Sequence, residues 1–384
     1  MLGKFKSISI SSGLAMFAMF FGAGNVVFPL IVGRAVEGGL LAAMLGLFLT
    51  AVLIPFAGLV SMTLYEGDYI AFFKRVGNKS GFLMLLLIIG LIGPFGGIPR
   101  CITLTFATLH LYIPGLNLVW FALASIVLIF LCCFKENSVI DLLGLVLTPL
   151  LLLFLGIILV KGLFFSPHSL DLEPFQKSQF VYGLTEGYNT MDLLAAFFFS
   201  SIVCESLKSK LKAAGRSAKI LSTAFYASCI GASFLAIIYM GFAWLAASHS
   251  HLLVNVAGDQ LLAKIGGLIL GPLAGFVISM AVGMACLTTA IGLSTVSAEF
   301  IERHVFKEKL GYIPCLIIVL LITGLVSMLK FSGIVAMLSP ILTICYPAFL
   351  TLCIVNLLHK TMGYKPVKTP VFTVLVVMLI SSFF

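Results

Sequence analysis

Charge is what this sequence has least of. Lys, Arg, Asp and Glu make up 10% of the 384 residues, against about 25% in a soluble globular protein. Acidic residues number only 14, while 61% of the chain is apolar. No soluble fold has interior enough for that much apolar surface. A cytosolic enzyme, a disordered regulator and a secreted disulfide scaffold are therefore excluded. No H-E-x-x-H, G-x-S-x-G or P-loop string occurs, so no enzyme constellation is present and no organic cofactor is expected. C-x-x-C is also missing. The nine cysteines are odd in number and fall nearly all in apolar runs, where they read as small buried hydrophobes. Six scattered histidines complete the inventory; His249 and His251 read as a solvated outer loop rather than a metal site.

What the chain does have is long, continuous apolar runs. A helical span needs about 20 such residues, and a barrel would show short alternating segments instead. Ten spans are predicted: 8–32, 39–64, 81–109, 116–134, 139–163, 183–204, 220–247, 265–298, 312–329 and 333–358. An eleventh apolar segment, 369–384, is shorter. The run after Lys4 and Lys6 is too long for a signal h-region and reads as a retained first span. With the N-terminus inside, 17 of the 23 Lys and Arg residues fall on the cytoplasmic side and 5 on the other. That asymmetry predicts a cytoplasmic N-terminus. It also accounts for the net charge of +9 without nucleic acid. The densest basic loop, 208–219, reads as solvated or as touching anionic lipid.

Three spans contain polar or helix-breaking backbone: Gly22-Ala23-Gly24-Asn25 with Pro29, Gly93 to Arg100, and Glu186 to Asp192. Freed backbone groups are tolerated at membrane depth only where protein or a water-filled cavity satisfies them. Spans 1–5 and 6–10 form two sets of five. The odd number makes the second set run inverted, and the first span of each set is broken. Discontinuous helices at matching places in two halves mark the midplane site of a secondary transporter. The expected architecture is one all-α transmembrane domain over 1–384. It comprises a five-helix repeat over 7–163, an inverted repeat over 183–358 and the extra segment. Arg100 and Asp192 lie inside spans, where ionisable groups are costly and usually functional. They either pair with each other or line the vestibule. In span 8, Thr288 and Thr289 supply hydroxyl oxygens suited to a small hard cation such as Na⁺. Bonding to backbone is the other reading of these threonines.

Five strings together resemble one family. They are F-F-G-A-G-N-V-V-F-P at 20–29, I-G-P-F-G-G-I-P-R at 92–100, E-G-Y-N-T-M-D at 186–192, C-L-T-T-A-I-G-L at 286–293 and S-A-E-F at 297–300. They are similar to the bacterial branched-chain amino acid:cation symporters, over about Ser7 to Leu358. That family usually has about twelve spans. The resemblance implies symport of Leu, Ile and Val with Na⁺, or with H⁺ in some relatives, across the inner membrane. It also implies a five-plus-five inverted repeat of the leucine-transporter type. In that scheme the G-x-G-N break, matched by Gly22, Gly24 and Asn25, holds the substrate carboxylate. The sodium ion sits between helix 1 carbonyls, here Ala18 and Phe21, and the string matched by Ala285, Thr288 and Thr289. A zwitterion also needs a partner for its ammonium, for which Tyr188, Asn189 and Asp192 at the second break are candidates. Arg100 completes the candidate substrate site. The expected partners are a small hydrophobic amino acid and the lipid bilayer.

Overall fold

The computed structural model describes residues 2–36, 38–134, 148–164, 175–213 and 220–382, with side chains from residue 8 and without that of Ala213. Every regular element among them is helical. In chain order these are α1 (Leu2–Phe20), α2 (Ala23–Ala35), α3 (Leu40–Thr63), α4 (Tyr69–Lys74), α5 (Asn78–Ile92), α6 (Gly97–His110), α7 (Leu118–Cys133) and α8 (Thr148–Phe164). The second half holds α9 (Lys177–Tyr188), α10 (Asp192–Ala213), α11 (Ile220–Ser248), α12 (Leu261–Leu270), α13 (Ala274–Phe300), α14 (Tyr312–Ser327), α15 (Lys330–Met362) and α16 (Lys368–Ser381). Among the described residues five stretches are long and apolar enough to cross a bilayer, and seven when the pairs α1/α2 and α9/α10, each bent at a short break, count as one span apiece. Four shorter apolar helices, α7, α8, α14 and α16, lie where spans four, five, nine and eleven are predicted. In span 5 residues 139–147 fall outside the described set, as do Lys135, Arg216 and Lys219.

The packing order surrounds the two bent spans. Both α1 and α2 lie on α11, α9 lies on α3, α10 contacts α3 and α1, and α13 lies on α6. The α3–α9 crossing is backbone against backbone. A Cβ at Gly183 would sit 1.9 Å from the Ala43 carbonyl oxygen, so only glycine fits there. Lipid tails are as apolar as leucine, so membrane helices gain contact by close approach at small residues.

Two expectations are corrected. Span 8 does not run unbroken from 265. Gly271 takes φ +57°, ending the short helix α12, and one 3-10 turn over Gly271–Leu273 leads into α13. Glycine reaches that left-handed φ without penalty, and Pro272 has no amide to continue the ladder. His249 is not solvated. It is 4% exposed, and its Nδ1 lies 2.9 Å from the Leu245 carbonyl oxygen. The end of α11 thus supplies the hydrogen-bonding partner that the loop sequence does not reveal.

Candidate functional site

The site begins with the backbone at the two breaks. The chain turns 72° between α1 and α2. Gly22 there is extended, at φ −124° and ψ −157°. Its amide, released from the helical ladder, donates to Asn25 Oδ1 at 2.9 Å. Asn25 thereby caps the half-helix to which it belongs. Span 6 bends by 43° between α9 and α10. No glycine makes that turn. Met191 does, at φ +62°, a conformation that costs a side-chain-bearing residue about 1–2 kcal/mol.

Arg100 stands in the first turn of α6 and is 2% exposed. Its Nη1 and Nη2 both donate to the Asn189 carbonyl, at 2.9 Å each. That carbonyl belongs to the C-terminal end of α9, where the helix dipole is negative. The guanidinium lies over the Phe28 ring, 5.0 Å from its centroid, and 5.7 Å from that of Phe331. These faces attract a desolvated cation. Nε is buried without a hydrogen-bond partner among the described residues.

Asp192 opens α10 and is also 2% exposed. The positive end of the α10 dipole favours its charge. Its carboxylate accepts from Asn25 Nδ2 at 3.0 and 2.8 Å and from Tyr239 Oη at 2.8 Å. Asn25 Nδ2 also donates to Tyr239 Oη. One asparagine therefore caps α2 with its oxygen and holds the Asp192 carboxylate with its nitrogen. The sequence leaves open an Arg100–Asp192 ion pair, and none forms. An ion pair that does form, outside this site, is Lys208 Nζ to Glu66 at 3.0 Å. Arg100 does tie span 3 to span 6, but through a main-chain oxygen, while Asp192 is engaged by α2 and α11.

Gly22, Gly24, Asn25, Arg100 and Asp192 line one cavity of about 30 Å³, together with Thr190, Met191 and apolar groups of five helices. That volume holds about two waters, so an amino acid enters only when the surrounding helices part. A Cβ on Gly24 would sit 2.7 Å from Arg100 Nη2 and 3.0 Å from the Thr190 Cα. Glycine is what lets the two breaks approach. Tyr188 and Asn189 do not line the cavity. Tyr188 stacks on Tyr346 of α15, with centroids 4.6 Å apart. The Asn189 side chain donates to Glu186 at 3.1 Å, so this residue serves the site through its carbonyl alone.

The candidate cation residues lie one turn away, where α13 meets α1. Thr288 Oγ1 is 3.1 Å from the Ala18 carbonyl oxygen and 2.9 Å from that of Ala285. Three hard oxygens converge there. Thr289 Oγ1 instead reaches the Met19 carbonyl, at 3.3 Å, and faces the amino acid cavity. Phe21 continues the α1 ladder, its amide donating to Phe17 at 2.9 Å. No hydrogen bond joins it to either threonine among the described residues. The resemblance implies Phe21 beside Ala18 as the second helix 1 carbonyl, and the chain bends by 72° just after it.

Sequence reasoning missed Tyr239, Phe28 and Phe331 as partners of the buried charges. Tyr239 sits in an apolar span with nothing nearby to mark it. Phe28 falls inside the 20–29 string, which is the one signal that could have found it.

Known proteins give the same architecture. The family described as Branched-chain amino acid transport protein matches residues 5–384. A protein of Staphylococcus aureus (strain USA300), assigned as a branched-chain amino acid carrier, is 30% identical over 393 residues, covering 97% of this chain and 86% of that one. Among solved structures, the inward-facing conformation of Mhp1 superposes with a TM-score of 0.62 at 14% identity, covering 92% of this chain and 77% of that one. MhsT in complex with L-phenylalanine gives 0.58 at 16% identity, covering 95% and 98%. The last two likenesses establish the fold, the leucine-transporter type. On the family match and the extent of the Staphylococcus relative, this chain belongs to the branched-chain amino acid transport proteins.

Proposed function

We propose that this protein imports Leu, Ile and Val across the bacterial inner membrane, driven by a Na⁺ gradient, with its N-terminus in the cytoplasm. The observation that carries the reading is the shared cavity at the two breaks. There, the N-terminal end of α2, its Gly22 amide capped by Asn25, and a carboxylate at the start of α10 line the same space. A zwitterionic amino acid needs both. Its carboxylate takes the positive N-terminal end of α2, around Gly22 and Gly24, and its ammonium takes Asp192. The branched side chain takes the apolar lining of Phe20, Ile92, Phe199 and Leu293. Arg100 holds the second break in shape from α6. Two of the similar proteins, by what they are assigned or bound to, support an amino acid as the cargo.

Na⁺ is a co-substrate in this reading. Ala18, Ala285 and Thr288 supply main-chain and hydroxyl oxygens, the donors a hard cation takes. Phe21 and Thr289 remain the further candidates. Because α1 supplies both the cation carbonyl and the approach to the break, ion and amino acid act on one helix. Alternating access results if α1/α2 swings against α6 and α13 while Arg100 holds α9/α10 to α6. The test is uptake of labelled isoleucine into proteoliposomes with and without a Na⁺ gradient. Uptake only with the gradient supports the reading, and equal uptake in choline overturns Na⁺ coupling. The second reading, H⁺ coupling through Asp192, is favoured by a buried carboxylate that has hydrogen bonds but no cationic partner among the described residues. It expects uptake in choline driven by a pH gradient. Orientation has its own test. Val254, 71% exposed, should react as Val254→Cys with an impermeant label from outside, and Lys208→Cys should not.

A further inference from the structure

Beside the amino acid cavity lies a second, larger one. It encloses about 340 Å³ between α6, α7 and α13, with Ile102, Leu109, Phe121, Leu128, Ile129 and Leu287 in its wall. Leu128 is exposed on the outer face of α7, as are Leu123, Val127 and Leu131. In a bilayer that face meets acyl chains. An apolar hollow of this kind stays dry, so what reaches its floor arrives through lipid. The floor holds two free thiols, Cys101 of α6 and Cys286 of α13, each 2% exposed. Both line this one hollow, Cys101 from α6 and Cys286 from α13, and those two helices pack against each other. Cys101 also lines the amino acid cavity, together with Ala23, the first residue of α2. A pair of thiols thus stands between the lateral cavity and the transport site, and the transport reading uses neither.

We propose that Cys101 and Cys286 form a dithiol site for a soft, thiophilic ligand of the trivalent arsenical class. The ligand enters from the bilayer through the lateral cavity and, once bound, fastens α6 to α13 and stops transport. Soft ligand atoms prefer thiolate sulfur to the oxygen donors that fill the rest of the site. With an arsenoxide the balance is simple. Two As–S bonds form, the As=O bond breaks, and the oxygen leaves as water with both thiol protons. No oxidation state changes. The bridge spans the two helices beside which α1/α2 must swing.

The probe is phenylarsine oxide, applied to the full-length protein in proteoliposomes. Intact mass should rise by one bridging adduct per chain, removed by 2,3-dimercaptopropanol, with Cys101 and Cys286 in one cross-linked peptide pair. Cys286→Ser and Cys101→Ser should each lose that adduct. Gly283 tests the route, because a Cβ there meets nothing nearer than Thr105 Cγ2 at 4.0 Å. Gly283→Leu should fill the cavity and slow adduct formation at least tenfold. Isoleucine uptake should fall at least tenfold as the adduct forms. An adduct that persists in the Cys101→Ser/Cys286→Ser double variant overturns the site. An unchanged rate in Gly283→Leu overturns the lateral route, and full uptake by fully modified protein overturns the block. The block rests on the transport reading, whereas the adduct mass does not, so the two failures are distinguishable.

Discussion

Span 1 breaks at a glycine and caps itself; span 6 breaks at a methionine and is held by another helix. In the first, Gly22 extends, Asn25 closes the end of α2 from within, and the bend is 72°. In the second, Met191 is forced to φ +62°, the Asn189 carbonyl is left over, and Arg100 arrives from span 3 to take it, with a bend of 43°. A break built from local residues can keep its shape while its helix swings. A break built on a distant arginine is tied to the helix that supplies it. The comparison assigns the larger motion to span 1, with span 6 anchored to α6 and linked to span 1 through the Asn25–Asp192 hydrogen bonds.

The largest expected effect joins the two breaks. Gly24→Val places a branched side chain against Arg100 and the Thr190 backbone. Isoleucine uptake should fall by more than about 100-fold, because backbone as well as guanidinium must shift. Membrane-inserted protein, measured by immunoblot, should stay near normal. Near-normal uptake would remove Gly24 from the contact between the breaks.

Next come the buried charges. Asp192→Asn and Arg100→Gln each weaken hydrogen bonds to a charged group, worth about 2–3 kcal/mol or about 30- to 150-fold in uptake. Because Arg100 bonds the Asn189 carbonyl rather than Asp192, the double variant should be no better than the worse single one. Recovery of activity in the double variant would mean the two charges pair in the working cycle.

The cation candidates should act on the moving break. Thr288→Val keeps the shape and deletes one oxygen, which should raise the Na⁺ requirement by about 1–3 kcal/mol, or about 5- to 150-fold. Thr289→Val should do less, because its oxygen is 3.3 Å from Met19 rather than within the Ala18–Ala285 cluster. Uptake measured against Na⁺ concentration checks both. An unchanged requirement in both would leave the threonines as packing and hydrogen-bonding groups and move the search to Asp192.

The smallest effect reads the comparison most directly. Met191→Gly relieves about 1–2 kcal/mol of left-handed strain, but it empties the place of a side chain that is 5% exposed, a loss of about 2–5 kcal/mol, so on balance it should destabilise. Gly22→Ala puts a Cβ 2.7 Å from Thr289 Oγ1 and should destabilise. Thermal unfolding in detergent should therefore move down for both, through lost packing at Met191 and through a clash at Gly22. An upward shift for Met191→Gly would mean that backbone strain outweighs side-chain burial at the second break.

Much of the site was legible before the fold. Gly22, Gly24, Asn25, Arg100 and Asp192 stand out because a polar or flexible residue in an apolar run is a local anomaly, and all five line one cavity. Tyr188 looked equally anomalous and stacks on Tyr346 instead. Tyr239 looked ordinary and binds the central carboxylate. A periodic apolar pattern says that a residue is inside the membrane. It does not say which neighbour a hydroxyl meets. The separate helix α12 was absorbed into span 8 because Leu261–Leu270 is as apolar as α13, and only the dihedral at Gly271 parts them.

Run length, glycine placement and the scarcity of charge are properties of short stretches, and lipid leaves a chain with such stretches no stable form but spanning helices. Those properties alone make this a polytopic helical protein with breaks in spans 1, 3 and 6. Which groups meet is a matter of packing. Asn25 and Asp192 are 167 residues apart, and Arg100 and the carbonyl it holds are 89 apart. Each buried polar group must find a partner or bear the cost of leaving water. Which partner it finds depends on how α2, α6, α10 and α11 pack, and no local pattern encodes that.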